Sequence, residues 1–211
     1  MKFALIVVIV LSNIVVFSQS AEELALNHKA VTLMDNEQHK EALPYLDNLI
    51  KLNTQNPLFR HNRAVTLSNL ERHREALEDY KILSEVLPDE SEYAFQIGNA
   101  YEQLDSAIQA IRFYSKAIEL SKDKFMYYFK RGTIYLKQNK FSAAESDFNS
   151  ALVLNPDHDN SLHNRGIALY KLGYKRQACE DWCRAYQLGN VYSLSHLKKN
   201  CKKFDQCISS K

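Results

Sequence analysis

The sequence predicts an all-α chain: a solenoid of five helix-turn-helix units, preceded by an apolar leader and closed by a C-terminal capping helix. Three observations carry this. The heptapeptide HNRAVTL at 61–67 returns as HNRGIAL at 163–169, three 34-residue periods later. A small residue stands at every 34-residue step, as Ala30, Ala64, Gly98, Gly132 and Gly166. The 211 residues contain only 5 Gly and 4 Pro, too few for the turns of an all-β domain.

The leader comes first. Lys2 precedes an apolar run from Phe3 to Phe17, broken only by Ser12 and Asn13, and Ser18, Gln19, Ser20 and Ala21 follow. A positive start, a short apolar stretch and small residues after it predict a signal peptide over residues 1–20, cleaved after Ser18 or Ser20. The run is shorter than the roughly 20 apolar residues a bilayer span needs, and no Cys lies nearby to accept a lipid. The mature chain is therefore expected in the periplasm or secreted. The alternative is a structural or assembly subunit tethered to the membrane by an uncleaved leader.

Five units follow, at about 23–56, 57–90, 91–124, 125–158 and 159–188. Twelve residues after each small residue stands an alanine (Ala42, Ala76, Ala110, Ala144, Ala178), and four further on a large apolar residue (Leu46, Tyr80, Tyr114, Phe148, Trp182). The fourth unit shows the pattern best. Tyr128, Gly132 and Tyr135 recur at three- and four-residue steps, one face of a first helix. Lys137 to Lys140 form a polar turn. Phe141, Ala144, Phe148, Ala151 and Leu152 then mark a second helix, ended by Asn155-Pro156. One such pair cannot bury its apolar face, so neighbours must stack. Beyond them, in 189–211, Val191, Leu194, Leu197 and Lys198 at helical spacing predict a capping helix with a short tail.

The 34-residue pattern of Tyr128, Gly132, Tyr135, Ala144, Phe148, Ala151 and Pro156 resembles the tetratricopeptide repeat. The resemblance spans about 24–188; the first unit departs most, with Ala30 for glycine and Leu46 for the aromatic. It implies a right-handed superhelical solenoid whose groove binds a peptide or protein partner, in the manner of a scaffold or adaptor.

The repeated His-Asn-Arg triplets then divide into two roles. Sixteen residues after Arg63, Arg131 and Arg165 stand Asp79, Asp147 and Asp181. The third unit has Ile97 and Phe113 at these places, and the first has Lys29 and Tyr45. Charge matched with charge, and apolar with apolar, predicts a contact between the two helices of a unit. Where charged, it is an Arg–Asp pair with hydrogen bonds, structural rather than reactive. The residues three before and one after the small residue point roughly 100° or more from the core face, toward what the family uses as its groove. They are Asn27 and Val31, His61 and Val65, Phe95 and Asn99, Phe129 and Thr133, His163 and Ile167, with Asn62, Gln96, Lys130 and Asn164 on the margin. An amide-and-aromatic lining suits an extended peptide. The Lys–Asn clamp by which one sub-type of the family grips a C-terminal carboxylate is absent.

Catalysis is not expected. No glycine-rich phosphate loop, HExxH or GxSxG appears, and the seven histidines are spread over the units. No cofactor or metal is expected either. A net charge of +2 makes no case for nucleic acid.

The four cysteines, Cys179, Cys183, Cys201 and Cys207, cluster at the C-terminal end. The string QACEDWCRAYQLGN…LKKNC resembles the end of exported repeat proteins of Bacteroidetes-type bacteria, where a Cys in the last repeat accompanies one in the cap. Cys179 and Cys201 match that pattern, and Cys183 and Cys207 are additional. A bond between Cys179 and Cys183 would strain their helix, because residues one turn apart have Cβ atoms about 5–6 Å apart and a disulfide needs about 3.5–4.5 Å. Of the helix-to-cap pairings, the resemblance favours Cys179–Cys201 with Cys183–Cys207. A zinc site of four thiolates and free thiols are the alternatives, although C-x3-C with C-x5-C is not a usual zinc spacing.

Overall fold

The computed structural model describes residues 4–10, 13–201 and 207, with side chains from residue 20 onward. Most of the signal-peptide expectation and most of the tail beyond Cys201 therefore lie outside the described side chains. The leader backbone forms an antiparallel hairpin of β1 (Ala4–Val10) and β2 (Asn13–Gln19), with Ala4 opposite Gln19 and Val10 opposite Asn13. Its Val and Ile content suits a pleated strand.

The described residues after it are helices and the turns between them. The first helices of the five pairs are α1 (Ala21–Asp35), α3 (Pro57–Asn69), α5 (Ser91–Gln103), α7 (Phe125–Lys137) and α9 (Asp159–Lys171). The second helices are α2 (His39–Leu52), α4 (His73–Val86), α6 (Ala107–Leu120), α8 (Phe141–Leu154) and α10 (Lys175–Gln187). The expected cap is α11 (Ser193–Asn200). The chain is an all-α helical-repeat solenoid, and it divides into two compact units, Met1–Ser106 and Ala107–Lys211. In the first unit each of α1 to α4 packs on its successor; in the second, each of α6 to α10 does so. Among the described residues no helix is long and apolar enough to cross a membrane.

The turns repeat as strictly as the helices. Each first helix is followed by a residue of left-handed backbone, Glu37, Glu71, Asp105, Asn139 and Gly173, again at the 34-residue period. In each turn the N–H of the next residue returns to the carbonyl five back: Gln38 to Leu33, Arg72 to Leu67, Ser106 to Tyr101, Lys140 to Tyr135, Tyr174 to Leu169. This is the Schellman closure, which satisfies helix carbonyls otherwise left open. α10 ends the same way at Gly189. At the other end, Ser20 and Glu23 form a reciprocal capping box at the start of α1.

The repeated positions form the core. Ala42, Ala76, Ala110, Ala144 and Ala178 are fully buried, as are Leu46, Tyr114, Phe148 and Trp182, and Tyr80 nearly so. Phe148 packs with Ala144 of its own helix and Ala168 of the next pair, which is how it fills the space toward its neighbour. This aromatic presses on the small residue. A Cβ on Gly132 would stand 3.0 Å from Phe148 Cε1, and one on Gly166 only 2.5 Å from Trp182 Nε1. Glycine is needed there because a ring lies across the backbone of the first helix.

Candidate functional site

Arg63, Arg131 and Arg165, each just before the small residue of its pair, hold three helices together. Arg131 on α7 donates from Nε to Asp147 Oδ2 at 2.9 Å and from Nη2 to Asp147 Oδ1 at 2.7 Å, a two-pronged pair with α8. Its remaining nitrogen, Nη1, donates to Ser115 Oγ on α6 at 2.8 Å. Arg165 repeats this with Asp181 on α10 and Asn149 on α8. Arg63 does the same with Asp79 on α4 and Asp47 on α2, and Arg60 adds a second guanidinium to Asp79. The partner sixteen residues ahead is legible in the sequence, and the one sixteen residues behind is not. That second spacing is just as regular (47, 115 and 149), but its residue type varies from Asp to Ser to Asn, so no covariation exposed it. Asp79, Asp147 and Asp181 are buried, Asp47 is part-exposed, and the arginines are half-buried. Hydrogen bonds to the carboxylates raise the pKa of each arginine further above its ordinary value, against the opposing effect of burial. Ile97 is buried and carries no charge to pair; Lys29 of the first unit is exposed.

Arg63 and Arg165 line two recesses of about 320 and about 300 Å3. Asp47, Arg63 and Ile82 line the first; Asn149, Arg165 and Arg184 line the second. The arginines of both recesses are each engaged by a carboxylate, Arg60 and Arg63 by Asp79, Arg72 by Glu75, Arg165 by Asp181 and Arg184 by Asp157. The echo of the two triplets is structural at its arginine.

The expected lining of the first helices behaves less uniformly. Asn62 and Phe95 are buried, not open to a groove, and His163 is held by the cap: its Nδ1 lies 2.8 Å from Ser193 Oγ and its ring 5.3 Å from that of His196. His61 lies edge-on to Tyr93 of the next first helix, at 6.0 Å. Phe129 lies edge-on to His158 at 4.7 Å, just before α9. For His61, Phe129 and His163, each three before a small residue and so on the helix flank, the contact comes from the following element, through Tyr93, His158 and Ser193. Gln96, Asn99, Lys130, Thr133 and Asn164 remain part-exposed. Asn99 Nδ2 donates to Gln96 Oε1 at 3.0 Å and Gln96 Nε2 to Glu92 Oε1 at 2.6 Å, an amide ladder along α5. Thr133 donates to the Phe129 carbonyl.

Two lining residues in the first unit stand apart. Asn27 Oδ1 on α1 and His61 Nδ1 on α3 are buried with no hydrogen-bond partner, and they occupy the same repeat position, one period apart. Burial lowers the pKa of His61, with the Glu92 charge opposing. Burial also lowers His158, against Asp159. His163 is lowered to about 4, first by burial and then by His196, with Asp159 opposing.

At the C-terminal end Cys179 is bonded to Cys201 and Cys183 to Cys207, with Cα–Cα separations of 5.8 and 5.6 Å. Both bonds tie α10 to the cap. Among the described residues there is no cluster of three potential metal ligands.

Residues 91–124 and 125–158 each match a tetratricopeptide-repeat family model. No curated protein sequence matches the chain. Among solved structures, MamA from Desulfovibrio magneticus RS-1, residues 41 to the end, superposes with a TM-score of 0.75 at 13% identity, over 81% of this chain and 97% of that one. A second MamA structure gives 0.72 at 16% identity, over 79% and 91%. YrrB, described as a TPR protein with an unusual peptide-binding site, gives 0.69 at 17% identity, over 85% and 98%. At such identities the likeness speaks for the fold.

Proposed function

We propose that the chain is an exported, non-catalytic scaffold that binds an extended segment of a protein partner along the faces of its first helices. The observation that carries this is the pair of unsatisfied polar atoms, Asn27 Oδ1 and His61 Nδ1, repeated on adjacent first helices. A buried polar atom without a partner costs about 1–3 kcal/mol, and native proteins leave few of them. A peptide backbone laid along α1 and α3 supplies donors at a regular spacing, reached by a rotation of either side chain. The peptide-binding site described for YrrB supports the reading by analogy of fold. Export draws support from two disulfides, which persist in oxidising compartments, together with the leader. Cleavage after Ser18 keeps the Ser20 capping box, whereas cleavage after Ser20 removes it, so the earlier site is the one proposed.

The test is a trade of stability against binding. The double variant Asn27→Leu with His61→Phe replaces both unsatisfied groups by apolar ones of similar shape. It should melt at or above the temperature of the parent while losing capture of the natural partner from envelope extracts. A variant that captures the partner as the parent does would remove these faces from the binding site.

A further inference from the structure

We infer that the notch between α9 and the capping helix α11 is an anchoring subsite for an acidic peptide segment that also carries an apolar side chain; the inference rests on the scaffold reading above. The notch has a volume of about 370 Å3. It is lined by Ile167, Tyr170 and Lys171 from α9 and by His196 and Lys199 from α11. Trp182 lies behind it, stacked on His196 at 4.6 Å and tilted to Tyr170 at 5.7 Å, with its indole N–H donated to the His163 carbonyl at 3.1 Å. A third ammonium, that of Lys175, stands 6.0 Å from the Tyr170 ring.

Among the described residues no carboxylate lines this notch. The surrounding chain does not neutralise it either: residues 167–211 hold nine Lys and Arg but three Asp and Glu, in a chain whose net charge is only +2. Of those acids, Glu180 is paired with Arg176 and Asp181 with Arg165. Lysines around an aromatic-walled recess, with no carboxylate in its lining, complement a carboxylate beside an apolar side chain. The notch is also preformed. The Cys179–Cys201 bond leaves from the residue that follows α11, and Ser193 at the other end of that helix meets His163. Ile167 belongs to the face along which α9 offers its groove positions, so a peptide lying on that face runs into the notch. Phosphate is the other anion that lysines meet, but the apolar walls of this recess favour a side chain.

The chain has a single tryptophan, and it backs the notch, so its fluorescence reports occupancy. Three probes are titrated into the full oxidised protein: an acetylated glutamate-rich heptapeptide with a central phenylalanine, its counterpart with lysine for glutamate, and inorganic phosphate. The glutamate peptide should shift the Trp182 emission and bind at least about tenfold more weakly to Lys171→Ala with Lys199→Ala, and binding should weaken with added salt. Unchanged circular dichroism and no free thiols show that the variant is folded. Equal binding of the lysine peptide, unchanged affinity in the double-lysine variant, or an equal response to phosphate would overturn the assignment. The Asn27→Leu, His61→Phe variant separates the two readings: retained peptide response there supports the notch even if partner capture is lost, and loss of that response places the peptide elsewhere.

Discussion

Arg131 spends its whole guanidinium on other helices: two prongs on Asp147 of α8 and one on Ser115 of α6. Such a pair fixes the angle between helices more than it adds net stability, since both charges give up water. Removing one partner is another matter, because the aspartate stays buried. Arg131→Ala should therefore destabilise the protein by about 3 kcal/mol, read from denaturant melts, and the charge-reversed pair Arg131→Asp with Asp147→Arg should recover part of it. Additive single and double variants would show that the two residues do not act as a pair. Half of this contact was legible in the sequence, because the third unit exchanged both charged residues for apolar ones together. The other half was hidden by its tolerance. A guanidinium N–H donates equally well to an Asp, a Ser or an Asn oxygen, so positions 47, 115 and 149 share no residue type.

At the scale of the element, the turns carry a conformational cost. Glu37, Glu71, Asp105 and Asn139 hold a left-handed backbone that only glycine adopts freely, and Glu is less suited to it than Asn or Asp. Glu71→Gly should accordingly stabilise the compact unit Met1–Ser106 by about 1 kcal/mol, raising its melting temperature, and Asn139→Gly should do less in Ala107–Lys211. Destabilisation by Glu71→Gly would mean that its side chain supports the turn. The turn at Lys137 to Lys140 was legible as a polar break, but the left-handed positions were not, since no glycine marks four of the five. Which flank positions stay open was hidden for a related reason. Helix periodicity tells which residues leave the core of one pair, and His61, Phe129 and His163 do leave it, but it does not tell which of them the next element covers. His163 is covered by α11, whose placement depends on the cysteines.

On the whole molecule the staples, turns and core follow one repeat period, whereas the end is secured differently. Both disulfides bind α10 to the cap, closing loops of 22 and 24 residues, each worth about 3 kcal/mol in the chain-entropy estimate. A solenoid feels such a loss locally, since the last pair has one repeat neighbour. Reduction should raise amide exchange in α10 and α11 while α7 and α8 keep their protection; exchange rising equally in α7 and α8 would contradict this local picture.

Site-specific photocrosslinking in the native host shows whether the first-helix faces hold the partner. A benzophenone amino acid is placed at Asn99 on α5 or Thr133 on α7, and for comparison at Ile108 on α6 or Val153 on α8, both of which are highly exposed. Partner adducts should form from Asn99 and from Thr133 and none from Ile108 or Val153. Adducts from the second-helix positions alone would contradict it.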